Sequence, residues 1–127
     1  MEFFAYARTP CHEQALQRLL TVASLPRWCH LIDRVWEADA DAGMIYCLWG
    51  EFQVRRESIR GGVRFTLPGC PNGVAWTVTA GLPPAPEATV THCTINRPEH
   101  APEFVESLQE FVAAWAQGLE RTLPERV

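Results

Sequence analysis

The sequence contains no lysine, and all eleven of its basic residues are arginine. This absence excludes Schiff-base catalysis, a Walker-A phosphate loop and a lysine general base. Serine is also scarce: Ser24, Ser58 and Ser107 are the three in the chain, and none lies in a nucleophile-elbow context. GxGxxG, HExxH and CxxC motifs are missing as well. These absences leave few of the common catalytic mechanisms open.

Long apolar runs are missing too. No stretch approaches 18 consecutive apolar residues, so we expect no membrane-spanning helix. Met1 to Phe4 lacks the basic start and apolar core of a secretory signal, which predicts a cytoplasmic protein. The net charge of −4 argues against a nucleic-acid partner. The length predicts one domain over residues 1–127, and a homodimer stays open.

The clearest pattern is an amphipathic helix from Ala101 to Leu123. Large apolar residues recur there at steps of three and four, which places them on one helix face. They are Phe104, Leu108, Phe111, Trp115 and Leu119. Pro102 suits the first turn and Pro124 is expected to end the helix. Gly118 is unfavourable inside a helix, and we interpret it as a point of close backbone approach, with a merely tolerated glycine as the alternative.

The rest of the chain has mostly strand-like alternation. Thr9-Pro10 predicts the start of a first helix, which Pro26 ends. The strand predictions are Glu2–Arg8, Trp28–Ala38, Met44–Val54, Val63–Leu67, Val74–Ala80 and Thr89–Asn96. Gly50 is expected to mark a bend or bulge within the third of these strands.

Short connections between consecutive strands predict an antiparallel meander. The predicted class is therefore α+β, in the order β-α-β-β-β-β-β-α, with the sheet wrapped around the C-terminal helix.

This order resembles that of the START-like (SRPBCC, Bet v 1-like) helix-grip superfamily. The matching features are Leu25-Pro26-Arg27-Trp28 at the end of the first helical part, and Phe111, Val112, Trp115 and Leu119 on the last helix. The resemblance implies a curved sheet that grips the helix and encloses an apolar cavity. It also implies binding of lipids, sterols or aromatic compounds, although some members are cyclases and others are chaperone cofactors. The family usually has six strands after two short helices, whereas the patterns here predict five strands after one helix.

Three of the five cysteines adjoin a histidine, in the pairs Cys11-His12, Cys29-His30 and His92-Cys93. Because neighbouring strand residues point to opposite faces, each strand pair offers one ligand per site, so we expect no metal and no cofactor. Cys11, near a helix N-terminus, is expected to have a lowered thiol pKa.

His30 and His92, both placed in strands, are the candidate general bases, with Asp33 or Glu51 as a partner. A structural, hydrogen-bonded histidine is the more common situation, so no catalytic residue is assigned.

Four arginines fall within ten residues: Arg55, Arg56, Arg60 and Arg64. We interpret them as a solvated hairpin end, with an anion site as the alternative.

Aromatic residues are the strongest functional signal, because five tryptophans exceed what a small core needs. They predict a cavity between the sheet and the C-terminal helix that binds a small apolar or aromatic molecule. The predicted lining is Trp36, Tyr46, Trp49, Trp76 and Trp115, with His92 or Arg34 as the orienting polar contact.

Two other functions stay open. One is an acid–base enzyme of the cyclase, isomerase or hydratase type that uses the same cavity. The other is an accessory or assembly protein that acts through exposed aromatic side chains.

Overall fold

The computed structural model describes residues 1–83, 85–96 and 99–123. In chain order its elements are β1 (Glu2–Ala7), α1 (Glu13–Leu19), a 3₁₀ turn (Val22–Ser24), α2 (Leu25–Trp28), β2 (Ile32–Trp36), β3 (Ala42–Cys47), β4 (Gly50–Ile59), β5 (Gly62–Thr66), β6 (Ala75–Ala80), β7 (Thr89–Thr94) and α3 (Pro102–Thr122). Pro124, the predicted helix stop, lies outside the described residues.

The strands form one antiparallel sheet in the order β1-β7-β6-β5-β4-β3-β2. Strands β2 to β7 follow one another as a meander, and β1 adds to the edge beside β7. The predicted α+β class, with an antiparallel sheet and a long C-terminal helix, is confirmed.

The predicted strand Met44–Val54 is in fact two strands, so the strand count predicted from the sequence was one too low. Strand β3 ends at Cys47 and β4 begins at Gly50, with Leu48 and Trp49 forming the turn. Gly50 has φ of 112°, a conformation that side chains disfavour, and this allows the chain to reverse within two residues. The apolar turn residues concealed the hairpin, because turns are usually recognised by polar composition.

The predicted strand Trp28–Ala38 begins too early. Pro26 occupies the first turn of α2 rather than ending a helix, and β2 spans only Ile32–Trp36. The start of α1 also differs, because His12 rather than Thr9 caps it: His12 Nδ1 accepts a hydrogen bond from the Ala15 amide at 3.3 Å.

Cross-strand register divides the sheet into two faces. The inner face carries the paired row Phe3, Cys93, Trp76 and Phe65, none of which is more than 8% exposed. The outer face carries the alternate residues of the same strands, such as the paired row Phe4, His92, Thr77, Arg64 and Glu57.

Helix α3 packs its predicted apolar stripe against the core that covers the inner face. Its buried residues are Leu108, Phe111, Val112, Ala114, Trp115, Gly118 and Leu119. The helix lies closest to β1 and β7, and Glu120 Oε1 accepts a hydrogen bond from the Arg8 amide at 2.9 Å. Among the described residues, no helix has the length and apolar character needed to cross a membrane.

Gly118 lies where α3 meets α2. A Cβ atom built at this position would lie 1.7 Å from the Trp28 carbonyl oxygen, which belongs to the backbone and cannot move aside cheaply. The glycine is therefore required by contact between α3 and α2, as its place inside the helix predicted.

This contact gives a test of the fold. We expect Gly118→Ala to destabilise the protein by about 3 kcal/mol, because the helix must move away from α2. Gly69→Ala is the matched control, since a Cβ there meets no atom within 4 Å, and its effect should be below about 0.5 kcal/mol. Urea unfolding of both variants measures the difference, and equal stabilities would contradict the assigned contact.

Candidate functional site

Four buried aromatic side chains form a cluster between the inner face and α3. Phe65 and Trp76 come from the sheet, with ring centroids 5.3 Å apart. Phe111 and Trp115 come from α3 and contact Trp76 at 4.9 and 6.2 Å. All four are at most 1% exposed. The rings contact one another directly, so a ligand can enter this aromatic cluster only if a neighbouring side chain moves.

Four buried side-chain polar atoms have no hydrogen-bond partner among the described residues. Trp76 Nε1, Trp115 Nε1 and Thr91 Oγ1 lie within this core, and His100 Nε2 belongs to a ring 5.2 Å from that of Phe104. Thr91 lies on the inner face, since it pairs with Val78 and Ala5 between the rows that face α3. A buried polar group without a partner costs about 1–3 kcal/mol. These atoms are therefore free to form hydrogen bonds with a molecule from outside the chain.

Trp49 closes one end of the aromatic cluster. It lies in the β3–β4 turn, half-buried, with its ring 4.8 Å from that of Phe111 and 6.1 Å from that of Phe104. Its Nε1 donates to Ser107 Oγ at 2.9 Å, and that hydroxyl donates to the Phe104 carbonyl at 2.6 Å. The indole thus connects the hairpin to the first half of α3.

The residues predicted to line one cavity are divided between the two faces. Trp49, Trp76 and Trp115 lie on the α3 side of the sheet, as described above. Arg34, Trp36 and Tyr46 lie on the outer face, where the Arg34 guanidinium is 5.5 Å from the Trp36 ring and 5.6 Å from the Tyr46 ring. The expectation that they line the same space is wrong, because strand alternation gives two faces without identifying the inner one.

His92 also lies on the outer face. It stacks on Phe4 at 4.2 Å between ring centroids, and its Nε2 is 2.8 Å from Glu2 Oε1. Its acidic neighbour is therefore Glu2, not the Asp33 or Glu51 that we expected.

His30 is exposed and lies in the turn after α2, not in a strand. Neither histidine proposed as a general base reaches the aromatic cluster, and they do not converge on one site.

The four arginines of the predicted hairpin end have different environments. Arg56 is on the inner face, with its side chain 7% exposed, and its guanidinium donates to the carbonyls of Leu20 and Gln17 and to Asp41. It secures α1 to the sheet, so the interpretation as a solvated residue is wrong for Arg56. Arg55 and Arg64 lie on the outer face, and these two and Arg60 are exposed, as expected.

Burial raises the pKa of four cysteine thiols. It raises the pKa of Cys29 and of Cys93 to about 12, and it also raises the pKa of Cys47. The pKa of Cys11 is raised as well, because burial outweighs the hydrogen bond with the His12 backbone and the charge of Arg18. The expected lowering at Cys11 is therefore wrong. In the described part of the chain, no three His, Cys, Asp or Glu residues are grouped to hold a metal ion.

Sequence reasoning missed Phe111, Thr91 and Ser107 as members of this site. Phe111 was visible in the helix stripe, but only as a core residue. Thr91 and Ser107 had no signal of their own, because their importance depends on pairing across the sheet and on the hairpin reaching α3.

Comparisons with known proteins identify the fold. No protein-family model matches the sequence, and no curated protein matches it. A START superfamily protein from Mycobacterium smegmatis matches with TM-score 0.61 and 11% identity, over 95% of this chain and 94% of that one. XoxI from Bacillus cereus matches with TM-score 0.62 and 12% identity, over 95% of this chain and 92% of that one. DynU16, a protein in the dynemicin biosynthetic locus, matches with TM-score 0.57 and 18% identity, over 100% of this chain and 49% of its own.

These likenesses show that the chain has the START-like helix-grip fold. The resemblance seen in the sequence is thus confirmed at the level of the fold. The six strands after two short helices that the superfamily usually has are also present here, as β2 to β7 after α1 and α2.

The buried thiols give a test in alkaline solution. Cys29 and Cys93 keep their protons in the folded state up to about pH 12, whereas in the unfolded chain they lose them near pH 9.0. Their contribution to stability is complete below pH 9.0 and is lost as the pH rises towards 12. Each thiol should therefore lower the free energy of unfolding by about 1.4 kcal/mol per pH unit within that window.

Urea unfolding between pH 8.5 and 11 measures this slope, and the absence of lysine removes one large background titration. The double variant Cys29→Ala, Cys93→Ala should have a much flatter profile. An unchanged slope in that variant would contradict the assignment.

Proposed function

We propose that this START-like protein binds a small planar aromatic or apolar molecule between the inner face and the first half of α3. Trp49 acts as a movable plug over the aromatic cluster. The resemblance of the sequence to the START-like superfamily implies ligands of this class. Aromatic walls on both sides, from Phe65 and Trp76 on the sheet and Phe111 on the helix, support it here.

The position of Trp49 is the observation on which the proposal rests. Its indole occupies a slot between Phe104 and Phe111, although its backbone belongs to a two-residue turn outside the sheet ladder. Turning the side chain outwards breaks its hydrogen bond to Ser107 and leaves the paired strands intact. The slot that it leaves has the size of a bicyclic aromatic ring.

A plug of this kind lowers the apparent affinity of the site. Binding requires the open state, so the measured dissociation constant is the intrinsic one divided by the open fraction. Removing the Trp49 side chain should then tighten binding instead of weakening it.

A second candidate, an accessory protein that acts through exposed aromatics, is favoured by the outer face. Phe4, Tyr6 and Tyr46 are 41%, 48% and 44% exposed there. The acid–base enzyme has no comparable support, since His30 and His92 lie apart from the aromatic cluster.

Titration with N-phenyl-1-naphthylamine, a neutral probe whose fluorescence rises in apolar surroundings, tests the proposal. We expect saturable binding by the unmodified protein and about tenfold tighter binding by Trp49→Ala, because the closed state is removed. Trp36→Ala, an outer-face tryptophan, is the matched control and should change the affinity by less than about twofold.

Absence of saturable binding by both the unmodified protein and Trp49→Ala would contradict the proposal. A loss of binding in Trp36→Ala that exceeds the effect of Trp49→Ala would place the probe on the outer face and favour the accessory function.

A further inference from the structure

The buried indole N–H groups determine which hydrogen-bonding group a ligand needs. Trp76 and Trp115 come from opposite walls of the aromatic cluster, sheet and helix, with ring centroids 6.2 Å apart. Both contact the same third ring, Phe65, at 5.3 and 5.9 Å. The two side chains that carry unpaired indole N–H groups thus come from opposite walls and share Phe65 as a neighbour.

An indole nitrogen can only donate a hydrogen bond. Whatever satisfies Trp76 Nε1 and Trp115 Nε1 must therefore be an acceptor. Thr91 Oγ1, also unpaired, can act as donor or acceptor and is a third unpaired group on the inner face. A purely hydrocarbon ligand would leave all three groups unpaired and would not remove the free-energy cost of burying them.

The charge of the surroundings restricts the acceptor further. The fully buried residues in the described part of the chain include no charged one, and the polar ones are Thr79, Thr89 and Thr91. The Arg56 guanidinium, although almost buried, already donates to Leu20, Gln17 and Asp41. Among the described residues of the inner face, a carboxylate or phosphate would therefore find no unpaired arginine, and burying an uncompensated charge is far more costly than burying a neutral acceptor.

We infer that the ligand is an uncharged aromatic compound with a carbonyl oxygen, such as an aryl ketone or quinone, and that Trp76, Trp115 or both donate a hydrogen bond to that oxygen. The inference rests on the proposed function, since it names the ligand class of the same site. The hydrogen bond to the carbonyl oxygen also gives the aromatic cluster a specificity that stacking alone cannot supply, because rings of similar size stack almost equally well.

A matched pair of ligands tests the inference. 2-Acetylnaphthalene and 2-isopropenylnaphthalene have nearly the same shape, but the first has C=O where the second has C=CH₂. Displacement of N-phenyl-1-naphthylamine measures the affinity of each, and we expect the ketone to bind about tenfold more tightly to the unmodified protein.

Variants then locate the donor. Trp115→Phe or Trp76→Phe should reduce the ketone preference to less than about threefold, and taking the ratio of the two ligands cancels any change in the size of the space. Trp28→Phe is the control, because Trp28 Nε1 already donates to Ser24 Oγ at 3.1 Å, and it should keep the full preference. Thr91→Val keeps the side-chain shape and measures the third contact if a tryptophan variant fails to fold.

The outcomes separate the two proposals. Equal affinities for ketone and alkene in the unmodified protein would overturn the inference and leave the proposed function standing, with a buried water as the partner of the indoles. A ketone preference unchanged in Trp76→Phe, Trp115→Phe and Thr91→Val would also overturn it. Absence of binding by either ligand and by N-phenyl-1-naphthylamine would overturn both proposals.

Discussion

Burial of one face of α3 against the sheet is the constraint from which the other features follow. The helix places Phe111 and Trp115 against Trp76 and Phe65, and Gly118 lets its backbone touch that of α2. Burying a large side chain of this kind stabilises a fold by about 1.5–3 kcal/mol. This packing leaves Trp76 Nε1, Trp115 Nε1 and Thr91 Oγ1 without partners within the core. Buried polar groups are normally paired, which is why we propose a ligand as the partner of these atoms.

The sequence predicted the long helix, its buried face and the α+β class, because each depends on a pattern within one segment. The periodicity of Phe104 to Leu119 is sufficient to define a helix face, and Gly118 was correctly interpreted as a point of close approach. The predictions failed where the structure depends on how two segments of the chain contact each other. Leu48 and Trp49 form a tight turn from apolar residues, so β3 and β4 appeared as one strand.

The same limitation explains the lining residues that were predicted wrongly. Tyr46 and Trp36 alternate correctly along their strands, but alternation does not say which face meets the helix. That information is in the register, where Ile45 pairs with Phe52 on the inner face and Tyr46 with Glu51 on the outer one. Trp49 lies on the α3 side of the sheet, beside Phe104 and Phe111. Its position over the slot depends on the turn and on Ser107, which lies 58 residues later in the chain.

The five tryptophans allow a direct test of the account, since each indole N–H gives one cross-peak in a ¹⁵N–¹H correlation spectrum. Titration with 2-acetylnaphthalene should shift the signals of Trp49, Trp76 and Trp115, because the ligand displaces the first and accepts a hydrogen bond from one or both of the others. The signals of Trp28, bonded to Ser24, and Trp36, on the outer face, should stay in place. Shifts confined to Trp36, or no shift of Trp76 and Trp115 at saturation, would contradict a ligand site between the sheet and α3.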